Sequence, residues 1–158
     1  MSRVHRSISH VMVLLQRPDD GKVLAVRHLP SSWHSPNLLT IIGGRLEQGE
    51  FLDEGAAREL AEETGIHATQ SQLEFCQLVH LHAVDGERVV GVVFLARDWE
   101  GEPYNREPGT HSELVWVDPT SPPGDCHPFT HEVLRHFVAG RRYANVVAPE
   151  LADGGEAG

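Results

Sequence analysis

The feature that most constrains this chain is a short amphipathic segment, residues 53–64, whose charged side carries three glutamates in one strip. Glu59, Glu62 and Glu63 stand at positions i, i+3 and i+4, which fall within one arc of a helix at about 100° per residue. The neighbouring arc holds the side chains that would pack on a core: Ala56, Ala57, Leu60, Ala61 and Thr64. Gly65 follows in the position of a helix C-cap. The segment is therefore predicted to be a helix with one buried face and one carboxylate face.

This helix is not built for stability alone. Like charges at i and i+4 oppose helix formation by a few tenths of a kcal/mol, and Gly55 costs up to about 1 kcal/mol relative to alanine. Two interpretations are open for an isolated strip of this kind. It is either a solvated acidic face or a site for a divalent cation such as Mg²⁺, because clustered carboxylate oxygens suit a hard ion.

The net charge of the chain is concentrated around this helix. Thirteen basic and 23 acidic residues give a formal net charge of −10 over 158 residues. Residues 44–66 contribute seven acids and two bases, or −5, which is half of the total. This balance argues against nucleic acid polymers and anionic membranes as partners, because both are held through Lys and Arg. No run approaches the roughly 20 apolar residues of a membrane span.

The hydrophobic pattern predicts strands on both sides of the acidic helix. Apolar runs at 8–15 and 22–28 flank the turn signal Asp19-Asp20-Gly21 and are predicted to form a hairpin. A short strand at 38–42 ends at the pair Gly43-Gly44. Segments 73–84 and 87–97 flank Asp85-Gly86, a strong hairpin signal. A further short strand is predicted at 113–117.

The order of elements predicts the fold class. A second helix is expected through about residue 138, with Thr130 as its N-cap. Strands, helix, strands and helix in this order indicate an α/β (α+β) fold, in which a mixed β-sheet is sandwiched between helices. We expect one domain over residues 1–140 and a C-terminal tail over 141–158 that is flexible at its end.

Cysteine usage favours a cytoplasmic protein. Cys76 and Cys126 do not form a disulfide framework at their separation, and the first apolar stretch is too short and too late for a signal peptide. Eleven histidines are a high count. No C-x-x-C or H-E-x-x-H pattern accompanies them, so they are interpreted as strand and loop residues rather than a zinc site.

The spacing around the acidic helix decides between the two interpretations of the glutamate strip. Residues 44–66 read Gx5Ex7RELxEExGI, and this segment resembles the Nudix hydrolase family in every defined position of its 23-residue signature. Segments 99–103, 106–107 and 113–116 also look like those of MutT-type nucleoside triphosphate diphosphatases. The resemblance covers about residues 8–138 and implies the Nudix fold.

The resemblance implies a divalent-metal site, with Mg²⁺ as the ion and Mn²⁺ as a substitute. Glu59, Glu62 and Glu63 would be its carboxylate ligands, and Gly44 would offer its backbone carbonyl. A triphosphate brings about four negative charges to a patch that is already acidic, so cations are needed between the two.

Further residues receive catalytic roles from the same resemblance. Arg58 would hold and orient the glutamates through charge-assisted hydrogen bonds. Glu107 occupies a position like the loop-borne carboxylate of MutT-type enzymes, as a further ligand or as the general base. One glutamate must stay free to take a proton from water, and the sequence does not distinguish Glu62 from Glu63 in this role.

The residues that would recognise substrate are less defined. Arg27 is expected near the phosphates, with a surface ion pair as the alternative. Thr130 and His131 are nearest to the position at which MutT carries a base-reading Asn, and they offer a different donor set. Trp33, Tyr104 and Phe129 are candidates for stacking on a base, with packing as the alternative. The chain also departs from many family members before the Gly-Gly pair, where Ile42 stands in place of a Pro and Leu39 in place of a Trp.

The predicted function is metal-dependent hydrolysis of a nucleoside diphosphate linked to another group X. The expected substrate is a nucleoside triphosphate, including oxidised purine nucleotides, cleaved to monophosphate and pyrophosphate. Alternatives are ADP-ribose or a dinucleoside polyphosphate as substrate, or a non-catalytic nucleotide sensor. The partner is then a small-molecule nucleotide, with a homodimer as a common assembly in the family.

Overall fold

The computed structural model describes residues 3–83 and 85–147 and contains seven strands and two α-helices in those ranges. The strands are β1 (Ile8–Leu15), β2 (Val23–His28), β3 (Leu39–Arg45), β4 (Glu74–His82), β5 (Arg88–Ala96), β6 (His111–Val117) and β7 (Tyr143–Val147). The helices are α1 (Leu52–Thr64) and α2 (Pro128–Ala139). Within these ranges, neither helix is long and apolar enough to cross a membrane.

The strands form one mixed sheet in the order β6-β2-β3-β1-β5-β4-β7. Strand β1 runs parallel to β5, and β4 runs parallel to β7, whereas the other neighbouring pairs are antiparallel. Alternate residues of β1 point to opposite faces, as a strand with two buried faces requires. Val11, Val13 and Leu15 join one apolar cluster, while Met12 and Leu14 join the other.

One helix covers each face of the sheet. Ala56 and Leu60 of α1 pack into the cluster on one face, and Val133 and Leu134 of α2 pack into the cluster on the other. All four side chains are fully buried. The predicted architecture, a mixed sheet sandwiched between helices, is therefore confirmed.

The predicted hairpin of the first two strands is wrong. The turn at residues 17–22 does reverse the chain, with Gly21 N–H donating to the Arg17 carbonyl at 2.9 Å. Beyond the bridge between Gln16 and Val23, however, the two strands separate, and β3 pairs antiparallel with both of them. The local turn signal is real, but β3 lies between the two strands in the sheet. The hairpin at Asp85-Gly86 is confirmed.

The third strand is longer than its apolar pattern indicated. It continues through Gly43 and Gly44 to Arg45, where it pairs with Met12 and Val11 of β1. A Cβ at Gly43 would collide with the Val11 carbonyl and lie 2.8 Å from Met12 Cγ. The glycine pair thus lets β1 and β3 approach closely and places its own backbone beside α1.

Two expectations for the C-terminal region need correction. Helix α2 begins at Pro128, and His127, not Thr130, is its N-cap, because His127 Nδ1 accepts from Phe129 N–H at 3.0 Å. Strand β7 lies in the segment expected to be a tail, where Ala144 and Val146 are buried against α2. Its alternation is only five residues long, which explains why the pattern did not reveal it. Residues 148–158 of the expected tail lie outside the described residues.

Candidate active site

Helix α1 is held in place at both ends, which determines where its glutamates point. At the start, the Glu54 carboxylate accepts from Phe51 N–H at 2.7 Å. At the end, Gly65 adopts a left-handed conformation with φ of 76° and donates to the Ala61 carbonyl at 2.9 Å. The predicted C-cap is thus confirmed, and glycine suits it because other residues rarely adopt positive φ.

Arg58 organises the carboxylates around α1. Its Nε donates to Glu50 Oε2 at 2.6 Å and its Nη2 to Glu50 Oε1 at 3.1 Å. Its Nη1 reaches Glu59 Oε1 at 2.9 Å and Glu62 Oε2 at 3.1 Å. These hydrogen bonds raise the pKa of Arg58 and lower that of Glu50. One guanidinium therefore fixes three carboxylates and joins the loop before α1 to the helix.

Glu63 differs from the other glutamates because it is buried. The residue is 3% exposed, and its Oε2 accepts from Gly43 N–H at 3.2 Å. Burial is the main cause that raises the pKa of Glu63 well above its ordinary value, and the adjacent Glu59 and Glu107 raise it further. A buried carboxyl next to two others is a position that would gain from a cation.

Glu63 also belongs to a cluster with Glu107 and His111. Ligand atoms of Glu63, Glu107 and His111 all lie within 4.8 Å of one another. Burial and the charges of Glu59 and Glu62 raise the pKa of Glu107. Burial, followed by the neighbouring His28, lowers the pKa of His111 to about 4. The donor set of two carboxylates and one imidazole fits a divalent metal ion.

Glycine 44 is required by the same crowding. A Cβ at this position would collide with the Glu59 carboxylate and lie 2.7 Å from its carboxyl carbon. The absence of a side chain therefore lets Glu59 fold against the end of β3, close to the Glu63 cluster.

These groups line a cleft of about 580 Å³. Glu59, Glu63 and Glu107 are its acidic side chains. Most of the other lining side chains are apolar or imidazole: His10, Met12, His28, His34, Ile41, Leu81, Val89, His127 and Phe129. The cleft thus combines a few carboxylates with a larger number of apolar and ring side chains, which is the composition of a small-molecule site.

The structure brings together most, but not all, of the residues singled out from the sequence. Gly44 and Thr130 line the cleft with the three acids. Glu62 is not among the lining residues, and its side chain is 46% exposed. Phe129 lines the cleft, whereas Trp33 is 91% exposed and the Tyr104 ring lies over Gly65.

Arg27 and His131 do not line the cleft. Arg27 Nε donates to Glu113 Oε2 at 2.6 Å and Nη1 to Asp125 Oδ2 at 2.7 Å, which is the alternative of a surface ion pair. His131 lies at a separate depression on the outside of α2 with Pro119 and Arg135. His28, the residue after Arg27, and Thr130, the residue before His131, line the cleft instead.

His111 is the member of the cluster that the sequence did not reveal. It stands four residues after Glu107 and is one of eleven histidines, so neither its type nor its position set it apart. Its proximity to Glu63 arises between α1 and β6, which are distant in the chain.

Comparison with known proteins agrees with this geometry. The family model of the NUDIX domain matches residues 6–137. The chain belongs to the Nudix family. A curated relative, the 8-oxo-dGTP diphosphatase of Escherichia coli (strain K12), is 30% identical over 111 residues, which are 68% of this chain and 82% of that protein.

Other members of the family are similar over different lengths. The NAD-capped RNA hydrolase NudC of Vibrio atlanticus is 30% identical over 136 residues, or 84% of this chain, but the match spans only 47% of that protein. The crystal structure of a MutT NUDIX hydrolase from Burkholderia pseudomallei superposes with a TM-score of 0.71 at 24% identity. It covers 83% of this chain and 98% of the other, which establishes the common fold. As a Nudix domain with such relatives, the chain is a pyrophosphohydrolase.

Proposed function

We propose that this Nudix enzyme hydrolyses nucleoside triphosphates to nucleoside monophosphate and pyrophosphate, with Mg²⁺ as the metal. The observation that carries the proposal is a single cleft lined both by a carboxylate cluster and by many ring and apolar side chains. The carboxylates suit metal-bound phosphates, and the ring and apolar side chains suit a nucleobase. The similarity to an 8-oxo-dGTP diphosphatase supports a triphosphate, including an oxidised purine one.

The metal would be held by Glu59, Glu63 and Glu107, with Gly44 leaving room for the Glu59 carboxylate. A bound Mg²⁺ or Mn²⁺ would neutralise phosphate charge and polarise the phosphoryl oxygens. Glu62 lies on the same helix strip, is half-exposed, and would be a further carboxylate ligand. The negative charge of these carboxylates makes the cation necessary, because phosphates and carboxylates otherwise repel each other.

The remaining residues position the reacting groups. Arg58 is a positioning residue, because its guanidinium donates to Glu59 and Glu62 and so orients both carboxylates. In the hydrolytic step, water attacks a phosphorus atom, a carboxylate takes the proton of that water, and pyrophosphate leaves. Glu107, Glu63 and Glu62 are the candidates for that proton acceptor, and the one that takes the proton would not be a metal ligand in that step. Phe129 and Thr130 would contact the base at the N-terminal end of α2.

A substrate screen tests the proposal directly. The protein is incubated with Mg²⁺ and canonical and oxidised triphosphates, ADP-ribose, dinucleoside polyphosphates and NAD, and pyrophosphate and phosphate are measured separately. We expect pyrophosphate and monophosphate from the triphosphates. A Glu63→Gln preparation, purified identically, controls for contaminating phosphatases.

Other outcomes of the screen would point elsewhere. Turnover confined to ADP-ribose, dinucleoside polyphosphates or NAD would contradict the triphosphate proposal, and the similarity to an NAD-capped RNA hydrolase makes this class the second candidate. Nucleotide binding without turnover of any compound would identify a sensor. The homodimer stays a prediction, which analytical ultracentrifugation would test.

A further inference from the structure

His111 is buried beside the carboxylates without the partners that a buried imidazole normally has. Its side chain is 4% exposed, and Nδ1 has no hydrogen-bond partner among the described residues. Its Nε2 lies 4.0 Å from Glu63 Oε1, which is too long for a hydrogen bond. An unsatisfied buried polar group costs about 1–3 kcal/mol, so packing does not explain the burial of Nδ1, and Nε2 is the ring nitrogen that lies beside the Glu63 carboxylate.

A β-bulge aims this imidazole at the cleft. Along the β2–β6 pair, Arg27 stands opposite Glu113, but His28 stands opposite His111, so one residue of β6 is skipped. In a regular strand, His111 would share the face of Glu113, where Arg27 forms its surface ion pair. The extra residue turns His111 to the face of His28, with ring centroids 5.1 Å apart. Bulges next to active sites re-aim side chains in this way.

The turned imidazole completes a set of ligand atoms. Glu63, Glu107 and His111 each offer one atom, and all of these lie within 4.8 Å of one another. One ion with bonds of about 2.1 Å can touch two ligand atoms up to about 4.2 Å apart. The 4.0 Å between His111 Nε2 and Glu63 Oε1 is within this reach. The three residues come from α1, from the loop before β6 and from the start of β6.

We propose that His111 is a nitrogen ligand of the metal site, and that it biases this site towards first-row transition ions such as Mn²⁺ relative to Mg²⁺. Magnesium prefers an all-oxygen environment, whereas imidazole binds transition ions more strongly. The proposal rests on the metal site of the proposed function but does not depend on which nucleotide is hydrolysed.

The direct test is electron spin echo spectroscopy of the full chain loaded with Mn²⁺ alone. We expect ¹⁴N modulation from a directly bound imidazole in the wild-type protein. Labelling with ¹⁵N-histidine should replace it by the ¹⁵N pattern, which identifies a histidine side chain. Bound Mn²⁺ without nitrogen modulation in the wild-type protein overturns the proposal, and this result requires no variant to fold.

Two variants then identify the histidine. His111→Asn should abolish the modulation and weaken Mn²⁺ binding in isothermal titration by at least about tenfold, with a smaller loss for Mg²⁺. His28→Gln, which removes the adjacent ring outside the ligand set, should keep the modulation. Circular dichroism checks the fold of both, and His111→Gln replaces His111→Asn if the latter unfolds. Modulation that survives in the folded His111 variant, or that disappears in His28→Gln alone, contradicts the assignment.

These measurements separate this proposal from the proposed function. Nitrogen coordination without turnover of any nucleotide would support the role of His111 and refute the enzymatic proposal. Turnover of triphosphates with an all-oxygen Mn²⁺ environment would do the reverse.

Discussion

The backbone N–H of Gly43 donates to Glu63 Oε2 at 3.2 Å and thereby ties the last turn of α1 to the end of β3. This bond is the contact through which the sheet holds a buried glutamate, 20 residues distant in the chain, beside Glu107 and His111. Burial raises the pKa of this carboxyl, so its ionised form lowers the stability of the folded protein when no metal is bound.

Replacing Glu63 by glutamine should remove activity but keep the fold. The amide oxygen of Gln can still accept from Gly43 N–H, whereas the charge needed for metal and proton chemistry is lost. We expect kcat for a triphosphate at saturating Mg²⁺ to fall by roughly 10² to 10⁴, with an unchanged circular dichroism spectrum. Glu62→Gln should lower kcat less, because Glu62 is half-exposed and is not among the residues that line the cleft. Turnover near the wild-type value in Glu63→Gln would contradict the site.

The same variant should be more stable than the wild type without metal. A group with a raised pKa in the folded state stabilises fully below its unfolded pKa, and that contribution is lost as pH rises towards the folded value. For Glu63 this loss begins near the ordinary value of 4.5 and continues upwards. Urea unfolding in EDTA should therefore show Glu63→Gln gaining relative stability between about pH 5 and 8. A constant difference across this range would show that Glu63 is not destabilised by its charge.

Arg58→Lys should lower both activity and stability. An ammonium group cannot reproduce the fork that holds Glu50 and Glu59 at the same time. We expect kcat to fall by about 10- to 100-fold and the free energy of unfolding to fall by about 1–3 kcal/mol. Arg135→Lys is a matched control, because its pair with Glu132 is exposed and is worth at most about 1 kcal/mol. Equal effects of the two variants would count against the positioning role.

Gly44→Ala should weaken metal binding. The added methyl group would displace the Glu59 carboxylate, whereas Gly124→Ala meets nothing within 4 Å and serves as the control. Isothermal titration with Mn²⁺ should show at least about a tenfold loss of affinity for Gly44→Ala and none for Gly124→Ala. Unchanged affinity in both would show that Glu59 is free to move or is not a ligand.

Arg27→Ala tests whether this arginine touches substrate. Its guanidinium is paired with Glu113 and Asp125, and Arg27 is not among the residues that line the cleft. We expect KM for a triphosphate to change less than about twofold and stability to fall by no more than about 1 kcal/mol. A tenfold increase in KM would return Arg27 to the phosphate site.

Much of the fold was predictable because its signals are local. The apolar run of β1, the Asp85-Gly86 turn and the C-cap at Gly65 depend on neighbours within a few residues. The position of β3 between β1 and β2 was not predictable, because the turn at residues 17–22 is equally compatible with a simple hairpin of β1 and β2. Strand β7 was missed for a related reason, since five residues gain their burial from α2 and β4 rather than from their own pattern.

The candidate site likewise has features that were predictable from the sequence and features that were not. By itself, the sequence determined the acidic strip of α1, because a fixed helical spacing places those carboxylates whatever surrounds them. Its resemblance to the Nudix signature implied the family and the roles expected of Arg58 and Glu107. Only the tertiary structure decided that Glu63 is buried while Glu62 is half-exposed. It also decided that Arg27 forms an ion pair with Glu113, and that a bulge in β6 turns His111 towards the carboxylates. The physical reason is that burial and strand register depend on contacts between segments far apart in the chain, whereas helical spacing does not.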